Sequence, residues 1–167
     1  MEHNLINHLS YNLWANERIG HLLMAQDESL LFAEQKSSFA SISKTIFHIW
    51  DAEVIWLTRM KGGTLADWPS KSFTGGKAAM LRGFTDSSTE LLQFVKEKGE
   101  LFQQENLVYK NMKGDAYENT VEEILFHLVN HGTYHRGQII TLLRESGVTQ
   151  VVGTDLINWF REEKKKR

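Results

Sequence analysis

Val121, Ile124, Leu125, Leu128, Ile139, Leu142 and Leu143 recur at three- and four-residue spacing, the pattern of one long helix with a single apolar stripe. A helix of that kind must bury its stripe against partners, which commits the chain to helix packing. Set into the stripe is His127-Leu128-Val129-Asn130-His131-Gly132-Thr133-Tyr134-His135-Arg136-Gly137-Gln138, with three of the seven histidines of the chain. At about 100° per residue, His131 and His135 lie about 40° apart and one turn apart, so both imidazoles can reach one point. Both sit at the edge of the stripe, and His127 lies further out. Such a pair is compatible with exposed or core-satisfied histidines. A core boundary, however, favours the neutral imidazole that a metal requires. Gly132, near the centre of the stripe, and Gly137 each cost about 1 kcal/mol relative to Ala inside a helix, which points to close approach of another helix or a ligand.

Three more long helices are expected. The first runs from about Asn4 to Ala25, with Leu5, Leu9, Leu13, Ile19, Leu22 and Leu23 on more than one face, as in a bundle. The second spans Ser41 to Lys61, ends at Gly62-Gly63, and carries Ile42, Ile46, Ile49, Trp50, Val54 and Leu57. His48 lies off that stripe beside Ala52 and Ile55, where it either faces a pocket between helices or caps a polar edge. The third covers Lys77 to Lys98. Thr120-Val121-Glu122-Glu123 is a capping-box pattern opening the fourth helix, and Gly147 closes it near Ser146. Between the third and fourth, alternation through Leu107 to Lys110 and Ala116 to Asn119, around Lys113-Gly114-Asp115, reads as a hairpin lying on the bundle. A short helical turn at Ser29–Phe32 and a terminal helix after Thr154-Asp155 complete the expectation. Thr64 to Gly76 is the longest connection and is placed to cover the mouth of a site.

The 167 residues fit one domain, residues 1–167, with 41% hydrophobic and 24% charged residues. A net charge of −2 gives no footprint for nucleic acid, and the only basic run, Lys164-Lys165-Lys166-Arg167, reads as a solvated tail. No cysteine is present, which excludes disulfides, a thiolate nucleophile and sulfur ligands, and suits a reducing cytoplasm. Met1-Glu2-His3-Asn4 lacks the opening of a signal peptide, and no stretch approaches eighteen uninterrupted apolar residues, so no membrane span is expected.

Four segments together resemble the DinB family, of the DinB/YfiT-like superfamily: Tyr11-Asn12-Leu13-Trp14-Ala15-Asn16-Glu17-Arg18, His48-Ile49-Trp50-Asp51-Ala52-Glu53-Val54-Ile55-Trp56-Leu57, His131-Gly132-Thr133-Tyr134-His135-Arg136-Gly137-Gln138 and Gly153-Thr154-Asp155-Leu156-Ile157. They follow the family's order over the whole chain, and the histidine with His-Arg-Gly-Gln four residues on is the most specific. The resemblance implies a mainly α fold: a four-helix bundle with a small β-hairpin and a short C-terminal helix, usually a homodimer. It also implies a divalent metal on three histidines, carried here onto His48, His131 and His135. His127 is an additional histidine, either beside the site or simply exposed.

Three imidazoles leave at least one position for water or substrate, the arrangement of a catalytic site, and nitrogen ligands suit zinc and nickel alike. Some DinB relatives look like metal-dependent hydrolases and others like transferases of low-molecular-weight thiols. The implied partner is therefore a small-molecule substrate, a thiol among the candidates. No catalytic residue is assigned. Asp51, Glu53, Glu122 and Glu123 are candidate bases only by proximity in sequence, and each reads first as a solvated charge or a cap. Asn130, Tyr134 and Gln138 are near enough to support the ligands, and Arg136 has a carboxylate as its expected partner, in a substrate or across the bundle or dimer. The alternative class is a non-catalytic metal-binding or stress-response interaction protein, with the ion stapling the second helix to the fourth.

Overall fold

The computed structural model describes residues 5–64, 67–111 and 113–166. Asn4, where the first helix is expected to start, and Arg167, at the end of the basic run, lie outside them. The elements are α1 (Leu5–Met24), α2 (Glu28–Phe32), α3 (Ile42–Met60), α4 (Pro69–Ser72), α5 (Lys77–Lys98), α6 (Glu100–Gln103), β1 (Asn106–Lys110), β2 (Ala116–Thr120), α7 (Val121–Glu145) and α8 (Leu156–Lys165). The fold is mainly helical: α1, α3, α5 and α7 form a four-helix bundle in which α1 and α3 each pack against both α5 and α7. The strands pair antiparallel, Asn106 opposite Thr120 and Tyr109 opposite Tyr117, as the only sheet among the described residues. No described helix is long and apolar enough to cross a membrane.

Local chemistry sets the ends of the site-bearing helices. Ser41 caps α3 by accepting from the Lys44 amide, and Lys61-Gly62 closes it with Gly62 at φ 76°. Thr120 and Glu123 form the expected reciprocal capping box on α7, and Gly147 follows its end at φ 88°. Three features depart from expectation. The long connection holds a turn of helix, α4, opened by Pro69 at its first position. The turn α6 breaks away from α5 at Gly99, whose φ of 79° only glycine adopts freely. The last helix runs on through Lys164 and Lys165, so the first half of the basic run is an exposed helical end.

The core is divided along its length. One apolar cluster includes Leu9, Leu57, Leu91, Leu125 and Trp159, and the other Ile19, Ile46, Phe84, Ile139 and Leu143. Between them lies a polar layer to which all four bundle helices contribute. Arg136, fully buried on α7, donates through Nη1 to Asn12 Oδ1 (2.8 Å) and Asn16 Oδ1 (2.7 Å) on α1, and through Nη2 to Thr133 Oγ1 (2.9 Å). The same asparagines turn their amide nitrogens to Glu53 of α3: Asn12 Nδ2 donates to Glu53 Oε1 at 2.8 Å, and Asn16 Nδ2 bonds Glu53 Oε1 (3.3 Å) and Ser88 Oγ of α5 (2.8 Å). Ser88 Oγ in turn reaches Glu53 Oε2 at 2.8 Å. Two amide dipoles thus stand aligned between a buried guanidinium and a buried carboxyl, and of the guanidinium nitrogens only buried Nε has no partner among the described residues. Glu53 is therefore neither a solvated charge nor a cap, the reading its sequence position invites.

Gly132 has its explanation here. A Cβ at that position would stand 2.9 Å from Asn12 Oδ1 and 2.7 Å from Arg136 Nη1, so only glycine admits the bond between them. Around Gly137 there is nothing within 4 Å of such an atom. In metal-free protein, Gly132→Ala is expected to lower stability to urea by at least ~1 kcal/mol, because disrupting a charged hydrogen bond outweighs the gain in helix propensity. Gly137→Ala should raise it by up to ~1 kcal/mol. Equal effects would contradict the assignment. Burial pushes the Glu53 carboxyl above its ordinary range, against the pull of bonds from Ser88 and Asn12 and of the Arg136 charge. A group raised on folding stabilises fully below its unfolded pKa and loses that contribution as pH rises through the folded one. The stability of wild type minus that of Glu53→Gln, measured by urea unfolding, should accordingly decrease from pH 5 to pH 8.

Candidate metal centre

His131 and His135 are one turn apart on α7, and α3 sets His48 against them. Each offers a ring nitrogen, and the three nitrogens lie within 4.8 Å of one another. Nε2 of His131 and Nε2 of His48 face each other at 2.8 Å, and the rings of His48 and His135 meet edge to face at 4.6 Å between centroids. The periodicity of the second helix left two placements for His48; it occupies the one between the helices. His135 is buried and the other two are half-buried.

Burial disfavours protonation of all three. It is the main cause lowering His131 to about 3, with His135, His48 and His127 adding to it. His48 and His135 are lowered too, first by burial, and for His48 the nearby Asp51 opposes the shift. Neutral rings are what a cation requires. Two imidazole nitrogens aimed at each other at 2.8 Å need a shared proton or a cation, and ligands of a tetrahedral zinc with bonds near 2.05 Å would sit about 3.3 Å apart. The trio fits a small divalent ion with a minor separation of the rings.

The surroundings orient the trio. Gln138 Oε1 accepts from His135 Nδ1 at 2.7 Å, which leaves Nε2 with its lone pair free for a ligand. Phe39 stacks on His48 at 4.1 Å and stands edge-on to His135 at 5.4 Å, closing one side against water. The tight turn that delivers Phe39 carries Ala40 at φ 55°, a left-handed conformation that costs a non-glycine residue on the order of 1 kcal/mol. Nothing in the periodicity announces Phe39; its one signal is its place just ahead of the Ser41 cap.

The remaining candidates divide. Tyr134 packs edge-on against His135 at 4.9 Å, and exposed His127 lies 5.6 Å from the His131 ring. Asn130 faces away, lining a hollow with Tyr11 and Asp155. Asp51 accepts from the Ser70 amide at 2.9 Å, and so ties α4 to α3 three residues from His48. Glu123 is the α7 cap, as its position suggests. Arg136 forms no direct ion pair among the described residues; its hydrogen-bond partners are the two asparagines and Thr133 described above.

A bundle whose adjoining helices bring three neutral imidazoles to one point belongs to the class of helical proteins able to hold a metal between facing helices. Comparison with known proteins narrows that class. The model of the DinB family matches residues 1–165, and the chain belongs to the DinB family. It is 33% identical over 144 residues to Protein DinB of Bacillus subtilis (strain 168), covering 82% of this chain and 83% of that one. Its fold is similar to the crystal structure of a DinB-like protein from Bacillus subtilis, with a TM-score of 0.66 at 15% identity over 89% of this chain and 96% of that one.

Proposed function

We propose that this DinB-family chain is a metal-dependent enzyme acting on a small molecule, with His48, His131 and His135 as ligands of a divalent ion, zinc or nickel. The observation that carries the reading is the convergence of three ring nitrogens within 4.8 Å at a half-buried seam; a four-coordinate ion held there would keep one position for substrate. When bound, the ion would polarise a carbonyl or acidify a water or thiol in that position, so ester or amide hydrolysis and transfer to a low-molecular-weight thiol are the reactions that fit. The chain's own contribution is to fix the His135 ring through Gln138, to keep the rings unprotonated, and to exclude water on the Phe39 side. The intended setting is the cytoplasm, consistent with a chain without cysteine, and a homodimer is the expected assembly.

A second reading keeps the ion without catalysis, as a staple between α3 and α7 in a stress-response or interaction protein. One observation favours it: among the described residues no carboxylate is hydrogen-bonded to the trio, and Asp51, the nearest in sequence to His48, is engaged by Ser70. A turnover screen separates the two. Zinc- and nickel-loaded protein is assayed for ester hydrolysis and for transfer of electrophiles to small thiols, beside His48→Ala, His131→Ala and His135→Ala. The enzyme reading expects turnover in wild type that falls at least about 10³-fold in each variant, in keeping with loss of a Lewis acid. Metal bound at one per chain without turnover of either class would leave the staple.

A further inference from the structure

Arg59 lies on the same side of α3 as His48 and outside the three-histidine cluster. Its guanidinium lies over two aromatic rings that are nearly perpendicular to each other, 4.7 Å from the Trp56 centroid and 5.0 Å from that of Tyr109 on β1. Its one hydrogen bond among the described residues runs from Nη2 to the Lys110 carbonyl at 2.8 Å. No described carboxylate forms an ion pair with it. Beside it is a hollow of about 550 Å³ walled by Ile55, Leu107, Tyr109 and Lys110, with no acidic side chain among its described lining residues. Burial works against the charge, lowering the pKa of Arg59 from its ordinary value. A half-buried guanidinium, pre-oriented by two rings and lacking a counter-ion, beside a second cation in Lys110, is arranged to receive a planar anion.

A row of rings runs from Tyr109, in the wall of this hollow, to the histidines, along a second hollow of about 270 Å³ lined by Trp56, Tyr109, His127 and Glu123. His131 and His127 are 5.6 Å apart, His127 and Trp56 6.4 Å, and Trp56 and Tyr109 4.7 Å, each between centroids. Along α3, the eleven residues from His48 to Arg59 rise about 16 Å. The Arg59 side chain leans back over Trp56, toward the His48 end, which shortens the gap by roughly one turn to about 11 Å. An extended tripeptide spans about 10 Å.

We propose that the seam between α3 and α7 takes an elongated anionic small molecule, its reactive group at His48, His131 and His135, its middle along Trp56 and His127, and its carboxylate paired with Arg59. This rests on the metal-dependent reading for the position of the reactive group; the charge preference at Arg59 stands on its own. Arg59 is thus a specificity-determining residue, selecting substrates that carry a carboxylate several bonds away from the reacting atom.

The test is a calorimetric titration of zinc-loaded protein with glutathione, a tripeptide thiol bearing two carboxylates, and with its dimethyl ester, in wild type, Arg59→Gln and Arg59→Lys. Gln removes the charge but is too short for the Lys110 carbonyl, whereas Lys keeps a charge and a donor of nearly full reach, so Arg59→Lys controls for loss of the hairpin tether, and metal content and thermal unfolding are measured in both variants. Wild type should bind the acid at least about tenfold tighter than the ester, the scale of one charge-assisted pair. Arg59→Gln should erase that preference and Arg59→Lys should retain part of it. Equal binding of acid and ester by wild type, absence of binding by both, or an undiminished preference in Arg59→Gln would each overturn the assignment. The metal-free His135→Ala protein is run in parallel. A preference there that still depends on Arg59, in a chain whose wild type takes up no zinc, would leave the Arg59 site standing and remove the metal reading alone.

Discussion

One buried cation organises the molecule. Arg136 lies at the centre of the bundle with no carboxylate in direct contact, and its positive charge is met by the oxygen ends of Asn12 and Asn16, whose nitrogen ends meet Glu53. Removing any one member would strand the others in an apolar surround at a cost of several kcal/mol, so the layer tolerates little sliding of α7 against α1 and α3. An apolar seam can slip by a turn at modest cost; a layer of directed bonds cannot. Arg136 directly follows His135, and Glu53 lies five residues beyond His48. The interaction that fixes helix register therefore also fixes where the histidines meet.

That arrangement divides the labour between core and site. The two apolar clusters supply the bulk of the burial on either side of the polar layer, while the histidines occupy the α3–α7 seam at its margin. Their ring nitrogens are held neutral by burial, their orientation is set by Gln138 and Phe39, and the row of rings beyond His127 leads to a cation at Arg59. Under the proposed function, such an arrangement would suit holding a small molecule by its far end while its near end reacts.

The four long helices, the cap of α7 and the hairpin were legible in the sequence, because each rests on local signals: the apolar stripes, the Thr120–Glu123 box, the change of period at β1. The pair His131 and His135 was legible for the same reason. Position of His48 was not, since periodicity fixes a residue's face but not what lies opposite it; only the family resemblance pointed to it. The polar layer is not legible from the sequence although its members stand at stripe positions: Glu53 between Ile49 and Leu57, Ser88 between Phe84 and Leu91, Arg136 one turn after Gly132. Polar residues in such places read singly as edges of a face. Their meaning appears only when four helices bring them to one level, which is a property of tertiary packing. Phe39 was invisible for a related reason, being delivered by a left-handed turn at Ala40 rather than by any periodic element.

Whether His48, His131 and His135 hold one divalent ion with a position to spare is decided by X-ray absorption spectroscopy on zinc-reconstituted, tag-free protein. The proposed site predicts one zinc per chain with three imidazole nitrogens at about 2.0–2.1 Å and one further light donor, replaced by sulfur when a small thiol is added. A zinc shell with fewer than three imidazoles, a closed shell that added thiol leaves unchanged, or no stoichiometric zinc at all would contradict it.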